Sequence, residues 1–463
     1  MQDLTKGNEV KQIISFTIPM FIGSFFQQFY NIVDSIIVGN YVGAHALAAI
    51  GTSTPIAFFF VVTMNGFASG MAIVATQLFG AQRLDELRSV VFSTFSTLIA
   101  ISLVISAGGV WAANLILKYL LKAPESILQD ATTYLQIYFA SLVFIFLYNA
   151  VSFLLRAIGD SRTPVYFLII SSVINALLAL FFVKELGWGV AGAAWATFIA
   201  QGLCSIGLIT YTYMAIPVYR LKLGEVAFDK KLLYMTLSQG LPNALQQAFL
   251  GVGGLALQGL VNSFGEITIA ATSAAFKVEQ IVNQISLNLS RAISIFTGQN
   301  IGAGNIERVK RGLRHTLVAG AVIGLLCSAI VILFGEAIIG IFLDSNTAHT
   351  SINEQVLFQG QQYLSVTGYF FLFVFATNIL AGMLRGSSDT VYTTVGTLAI
   401  FIIRIAAAYS LASIPAIGYQ SIWWSQPFMW VIGVAALWLR YKSGAWKTKS
   451  VICRLQKLKQ ANS

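Results

Sequence analysis

Charge is scarce in this chain. Of its 463 residues only 10% are Asp, Glu, Lys or Arg, against about a quarter in soluble domains. That excludes an ordinary solvated globule. With 57% hydrophobic residues and a mean hydropathy of +0.76, the reading is a polytopic membrane protein. Cysteine and histidine are scarce too. Cys204, Cys327 and Cys453, like His45, His315 and His349, lie far apart without metal-ligand or redox spacing, so neither disulfides, a metal nor a cofactor is expected. No phosphate loop with its lysine occurs, and Gly251-x-Gly253-Gly254 follows no strand, which argues against ATP-driven transport. Paired carboxylates, a nucleophile elbow and a zinc cluster are also missing, so an enzyme is not expected. The first apolar run is too long for a signal-peptide core and lacks a small-residue processing site; it is expected to stay in the mature chain.

What is present is a series of long apolar runs. Breaks at charged, Gly or Pro residues place twelve spans near residues 13–38, 46–79, 90–113, 130–155, 163–183, 188–214, 232–262, 267–300, 313–334, 355–383, 391–413 and 417–440. Several exceed the bilayer thickness, which implies tilt or extension beyond the hydrocarbon. Pro19, Pro55 and Pro242 fall inside spans one, two and seven, where proline removes a backbone donor and tends to kink a helix. Pro19 is the kink expected to matter most.

The net charge of +10 would by itself point to nucleic acid, but the placement of the basic residues points to topology. With a cytoplasmic N-terminus, 22 lysines and arginines fall on that side and only Lys118, Lys122 and Lys184 on the other. Both termini are therefore expected in the cytoplasm, with no nucleic-acid partner. The expected partner is the lipid bilayer.

The chain also repeats itself. At an offset of 222, Gly43, Ala48, Ala49, Gln77, Gly80 and Ala81 match Gly265, Ala270, Ala271, Gln299, Gly302 and Ala303. At an offset of 229, Tyr134, Leu155, Arg156, Asp160, Gly189 and Trp195 match Tyr363, Leu384, Arg385, Asp389, Gly418 and Trp424. The change of seven fits a longer loop near 344–355. The fold class expected is all-α: twelve transmembrane helices in two pseudo-symmetric six-helix lobes, residues 1–218 and 232–440. A cytoplasmic linker (219–231) joins them and a basic tail (441–463) lies on the inner membrane surface.

The stretch Ile13 to Val38 organises the functional reading. It has no charge between Lys11 and Asp34, so Asp34 is a lone intramembrane carboxylate. Such a charge costs about 2.5–3.5 kcal/mol at a helix centre and by default handles ions, protons or substrate. Helical spacing puts Gln27, Tyr30 and Asp34 on one face, with Asn31 beside them.

The Gln27-Gln28-Phe29-Tyr30-Asn31-Ile32-Val33-Asp34 run, Leu47-Ala48-Ala49-Ile50-Gly51, Leu155-Arg156-Ala157-Ile158-Gly159-Asp160 and Gly298-Gln299-Asn300-Ile301-Gly302-Ala303-Gly304 together resemble the multidrug and toxic compound extrusion (MATE) family, over essentially the whole chain. The resemblance implies a plasma-membrane antiporter, expected as a monomer, that expels cationic amphipathic compounds against an inward proton or sodium gradient. It also implies site residues. The prokaryotic DNA-damage-inducible-like branch has first-helix residues matching Pro19, Gln27, Tyr30 and Asp34, with Asn149, Asn175 and Thr197 on the fourth, fifth and sixth helices. On this reading Asp34, Asn175 and Thr197 serve coupling, while Gln27, Tyr30, Asp34 and Asn149 meet substrate. One departure matters: where the branch has a second aspartate this chain has Ala179. A single carboxylate offers less charge to sodium, a hard cation, which favours protons as the coupling ion and leaves sodium as the alternative.

Lys277, Glu279 and Arg404 lie deep in spans eight and eleven. The expectation is a buried ion pair of Glu279 with Lys277 or Arg404, with a substrate role for Glu279 as the alternative. Arg156 with Asp160, and Arg385 with Asp389, read as i,i+4 helix-end pairs. A lipid-linked precursor flippase is the competing function; it would require cationic residues in the first lobe, and spans one to six contain none. A channel is disfavoured by two kinked halves without a repeated pore ring.

Overall fold

The computed structural model describes residues 2–220, 228–342 and 351–462, apart from the side chains of Asn31, Ser351, Leu458, Lys459, Ala461 and Asn462. Most of the expected 219–231 linker, much of the 344–355 loop and the Asn31 side chain lie outside the described residues. The described chain is helical throughout: α1 Glu9–Tyr41, α2 Ala44–Gly80, α3 Leu84–Leu115, α4 Glu125–Ala157, α5 Thr163–Leu180, α6 Gly189–Ala215, α7 Lys230–Asn262, α8 Glu266–Gly302, α9 Ile306–Gly340, α10 Ser351–Gly368, α11 Phe371–Gly386, α12 Thr390–Ala412, α13 Gln420–Lys442 and α14 Val451–Asn462. Among the described residues, nine helices are long and apolar enough to cross a membrane, and α10 with α11, bent by 50° between them, counts as a tenth when taken as one span. The remaining two, α1 and α8, span 33 and 37 residues, ample length at ~1.5 Å per residue; they fall short on hydropathy because they carry the polar residues discussed below. Counted together, the crossings are the twelve of the expected all-α topology.

Two local features follow from single residues. The helix N-caps Gly43 and Gly265, partners in the internal repeat, have φ of 104° and 90° with ψ near 180°, a region open only to glycine. Their match in the repeat is thus a backbone requirement. Span ten was expected as one helix, and it breaks after Gly368. There the hydroxyl of Ser328 on α9 lies 2.6 Å from the Gly368 carbonyl and 2.9 Å from the Gly324 carbonyl of its own helix, so a side chain from a neighbouring helix sits at the break.

Contacts divide the chain into two compact units, Met1–Asp3 with Ser15–Leu245, and Leu4–Ile14 with Gln246–Ser463. Within the first, α4 packs against α2, α3 and α6, and α5 lies against α6. Close approach is allowed by small residues: a Cβ on Gly70 would run into the backbone of Gly240 and Thr236, and one on Gly66 into Ala244. Within the second, α11 packs against α8, α9 and α13, and α12 against α13. Here the segment Leu4–Gln12 is held by Arg308, which donates to the carbonyls of Leu4 and Gly7 at 3.2 and 2.8 Å and to Gln12 Oε1 at 2.8 Å. Gln299 Oε1 accepts from the Leu4 amide at 3.0 Å, and Asn300 donates to the Leu4 carbonyl at 3.1 Å.

Candidate functional site

The polar face of α1 meets α5 and α6 at one hydroxyl. Thr197 Oγ1 accepts from Asn175 Nδ2 at 3.2 Å and lies 3.2 Å from the Tyr30 hydroxyl, while its own proton goes to the Ala193 carbonyl at 3.2 Å. A threonine hydroxyl has one proton and two acceptor positions. Tyr30 is therefore the donor, and the Thr197 oxygen is saturated. Asp34 follows Tyr30 by one turn. The carboxylate is within electrostatic range of Tyr30 and Tyr134, and its Oδ1 is buried without a hydrogen-bond partner among the described residues. A buried acceptor without a donor calls for a functional or structural reason.

The structure thus brings together Tyr30, Asp34, Asn175 and Thr197. It leaves Asn149 donating to the Ile145 carbonyl of its own helix at 2.9 Å and Gln27 exposed. Pro19 lies inside α1, which remains helical from Glu9 to Tyr41. Ala179 is fully buried in an apolar cluster with Val38, Tyr134, Val183 and Ala193. Tyr134 also stacks on Tyr138, with ring centroids 6.1 Å apart. Sequence reasoning noted Tyr134 only as a repeat match; two tyrosines four apart on α4 were the available signal for this wall of the site.

Glu279 belongs to the second unit, and its partners differ from the expected ones. Its Oε2 accepts from the Tyr363 hydroxyl at 2.7 Å and its Oε1 from the Gln426 amide. Gln426 Oε1 in turn accepts from Arg404 at 2.5 Å. The expected Glu279–Arg404 ion pair is replaced by an intervening amide, because Gln426 projects between them. Lys277 is no partner either: two residues away on the helix it faces another direction, and its ammonium lies 5.1 Å from the Phe342 ring.

The helix-end pairs are also corrected. Asp160 turns back on its own loop, accepting from the amides of Arg162 and Thr163 at 3.1 and 3.0 Å and from the Thr163 hydroxyl at 2.6 Å; its carboxylate is used before Arg156 can claim it. Asp389 binds Arg440 through both oxygens, at 2.7 and 3.1 Å, a planar fork geometry that an i,i+4 arginine does not provide. Arg385 donates instead to Ser290 Oγ at 3.1 Å.

The MatE family model matches residues 19–181 and 242–410, well over half of the chain and both halves of the repeat. The chain belongs to the MatE family. Among its relatives, the probable multidrug resistance protein YpnP of Bacillus subtilis is 29% identical over 449 residues, covering 96% of this MatE chain and 97% of YpnP. Two solved structures share the fold. A MATE crystal structure described as the bent conformation has a TM-score of 0.87 at 20% identity, and one described as an outward-facing multidrug resistance MATE transporter has 0.85 at 21%; each covers 96% of this chain and 98% of its own. Membership makes this MatE protein a multi-pass membrane transporter and not an enzyme. Among its described residues no three His, Cys, Asp or Glu side chains converge on a metal-sized site.

Proposed function

We propose that this transporter exports organic, cationic amphipathic compounds across the plasma membrane in exchange for protons, by alternating access, with both termini in the cytoplasm. The six-helix lobes 1–218 and 232–440 are the moving bodies of this reading. The observation that carries it is the buried Oδ1 of Asp34, without a hydrogen-bond partner among the described residues and one turn from the saturated Tyr30–Thr197–Asn175 group. Protonation supplies that oxygen with a hydrogen and removes the charge; deprotonation restores a carboxylate able to hold a cationic substrate. Competition of proton and substrate for one acid gives the two ligands opposite preferences, which antiport requires.

Sodium would need several oxygens at about 2.3–2.5 Å, the range typical of hard-cation sites. Thr197 has no acceptor position left, Asn175 turns its amide nitrogen toward Thr197, and Ala179 supplies no carboxylate. Protons are the better match. The deciding experiment is efflux of a fluorescent organic cation from liposomes under an imposed pH or sodium gradient, with wild type and Asp34→Asn. Transport driven by the pH gradient and lost in the variant supports proton antiport; transport driven by sodium alone overturns it, and no transport under either gradient favours the flippase.

A further inference from the structure

The offset of 229 that pairs Tyr134 with Tyr363 also pairs Asn175 with Arg404 and Thr197 with Gln426. The hydrogen bond is repeated as well. In the first unit Asn175 donates to Thr197; in the second Arg404 donates to Gln426 Oε1. A neutral amide has become a guanidinium. Its countercharge, Glu279, comes from α8 and reaches Arg404 only through the Gln426 amide.

This arrangement leaves donors in excess. Arg404 Nε and the indole Nε1 of Trp423 are both buried with no acceptor among the described residues. Trp423 is 1% exposed, its ring lies 5.9 Å from that of Tyr363, and it shares a face of α13 with Gln426, three residues on. A buried donor without an acceptor is destabilising, and a ligand that supplies the acceptor relieves it. Guanidinium binds carboxylate through two parallel N–H bonds, yet here one nitrogen rests on a neutral amide oxygen and the neighbouring Nε on no acceptor among the described residues. Arg404 as a residue is partly exposed while its Nε is buried, so a ligand reaches that edge only as Gln426 moves aside.

We propose that the Arg404–Trp423–Gln426 cluster is a binding site for the carboxylate of an organic substrate. The carboxylate takes the Nε edge of Arg404, Gln426 gives up its bond to the guanidinium, and the Trp423 N–H is the second donor; Glu279, held by Tyr363, keeps Arg404 from being a permanent uncompensated charge before the ligand arrives. The site extends the substrate range to zwitterions and organic anions. Its role in transport rests on the efflux reading above, whereas binding is measured independently of it.

The test uses two rhodamine dyes that differ only at one group, an ethyl ester cation and the corresponding free-acid zwitterion. Equilibrium binding to the full chain in nanodiscs is followed by fluorescence anisotropy. The expected result is that Arg404→Gln weakens the free acid ~10-fold or more and leaves the ester within about two-fold, since only the acid uses the bidentate contact. Arg404→Lys also weakens the acid, for lack of the fork, and Trp423→Phe weakens it by a few-fold while preserving the ring. Equal loss of both dyes in these variants, unchanged binding of the acid, or no binding of the acid to wild type overturns the proposal. If Arg404→Gln does not fold, Trp423→Phe decides. Failure of wild type to move the ester in liposomes counts against the efflux reading, not against this site.

Discussion

The hydroxyls of Tyr30 and Thr197 lie 3.2 Å apart, so one oxygen on α6 holds α1 and, through Asn175, α5 as well. Thr197→Val keeps the shape of the side chain and removes the oxygen. It strands the Asn175 amide, whose residue is 1% exposed, and the Tyr30 hydroxyl. The expected cost is about 1–3 kcal/mol of stability, the penalty for leaving buried donors unmatched, together with slower dye efflux. Thr197→Ser should retain most of both. Thermal unfolding in detergent checks the first effect and liposome efflux the second; equal behaviour of Val and Ser removes Thr197 from the site.

Asp34→Asn should abolish uphill export while leaving the fold intact, because asparagine keeps the size and shape of the side chain without titrating. Asp34→Glu should keep part of the activity, since the acid survives one methylene out of place. Gradient-driven efflux separates them. Full uphill activity in Asp34→Asn would remove the carboxylate from coupling.

Much of this architecture was legible from residue spacing, and the reasons are physical. Apolar runs of bilayer length leave little choice but helices, and the lone charge at Asp34 marks its own helix face. The glycine matches at 43 and 265 carried backbone information, since only glycine caps α2 and α8 at those angles. The failures concern side chains meeting across elements distant in sequence. Asp389 pairs with Arg440, 51 residues on, and not with Arg385 one turn away; Glu279 finds Gln426 and Tyr363. Helical periodicity says which face a residue occupies but not which helix covers that face. The bend after Gly368 was hidden for the same reason, because the side chain that meets the break, Ser328, lies 40 residues away.

The Asp389–Arg440 fork is the stronger helix-end tie in the second unit. Asp389 is nearly buried, with 5% of its side chain exposed, and the Arg440 guanidinium lies 4.6 Å from the Tyr392 ring. Arg440→Gln should lower stability by about 2–4 kcal/mol, because it leaves a buried carboxylate without its countercharge. Arg440→Lys should recover only part, lacking the fork. Thermal midpoints of the two variants give the comparison, and a midpoint at wild-type level for Arg440→Gln would refute it.

Gly70→Ala places a methyl group against the backbone of Gly240 and Thr236. Backbone cannot swing aside as a flexible side chain does, so overpacking should cost about 1–3 kcal/mol. Gly108→Ala is the control, because nothing lies within 4 Å of the added carbon; there a gain in helix propensity of up to about 1 kcal/mol is expected. Opposite shifts in thermal midpoint are the signature, and parallel shifts would contradict the packing argument.

Acid sensitivity should be traceable to Glu9, in the first turn of α1 ahead of the apolar stretch. Burial pushes its carboxyl upward, but its backbone hydrogen bond and the charges of Arg308, Arg311 and His315 outweigh this and hold it below the ordinary value of 4.5. The contacts are direct: Arg308 and Arg311 reach the same oxygen, Glu9 Oε1, at 3.3 and 3.1 Å. Because the folded value is the lower one, the unfolded chain binds more protons between the two values, and stability rises with pH across that window. The contribution is complete above the ordinary value and disappears as pH falls through the folded one. Glu9→Gln should therefore be less stable than wild type at neutral pH, by about 1 kcal/mol for a partly exposed pair. The gap should close on acidification below the ordinary value. A series of thermal unfolding curves on both proteins from neutral to acid checks the sign: converging midpoints support the clamp of Arg308 and Arg311 on Glu9, and midpoints that stay parallel place the acid sensitivity in another group.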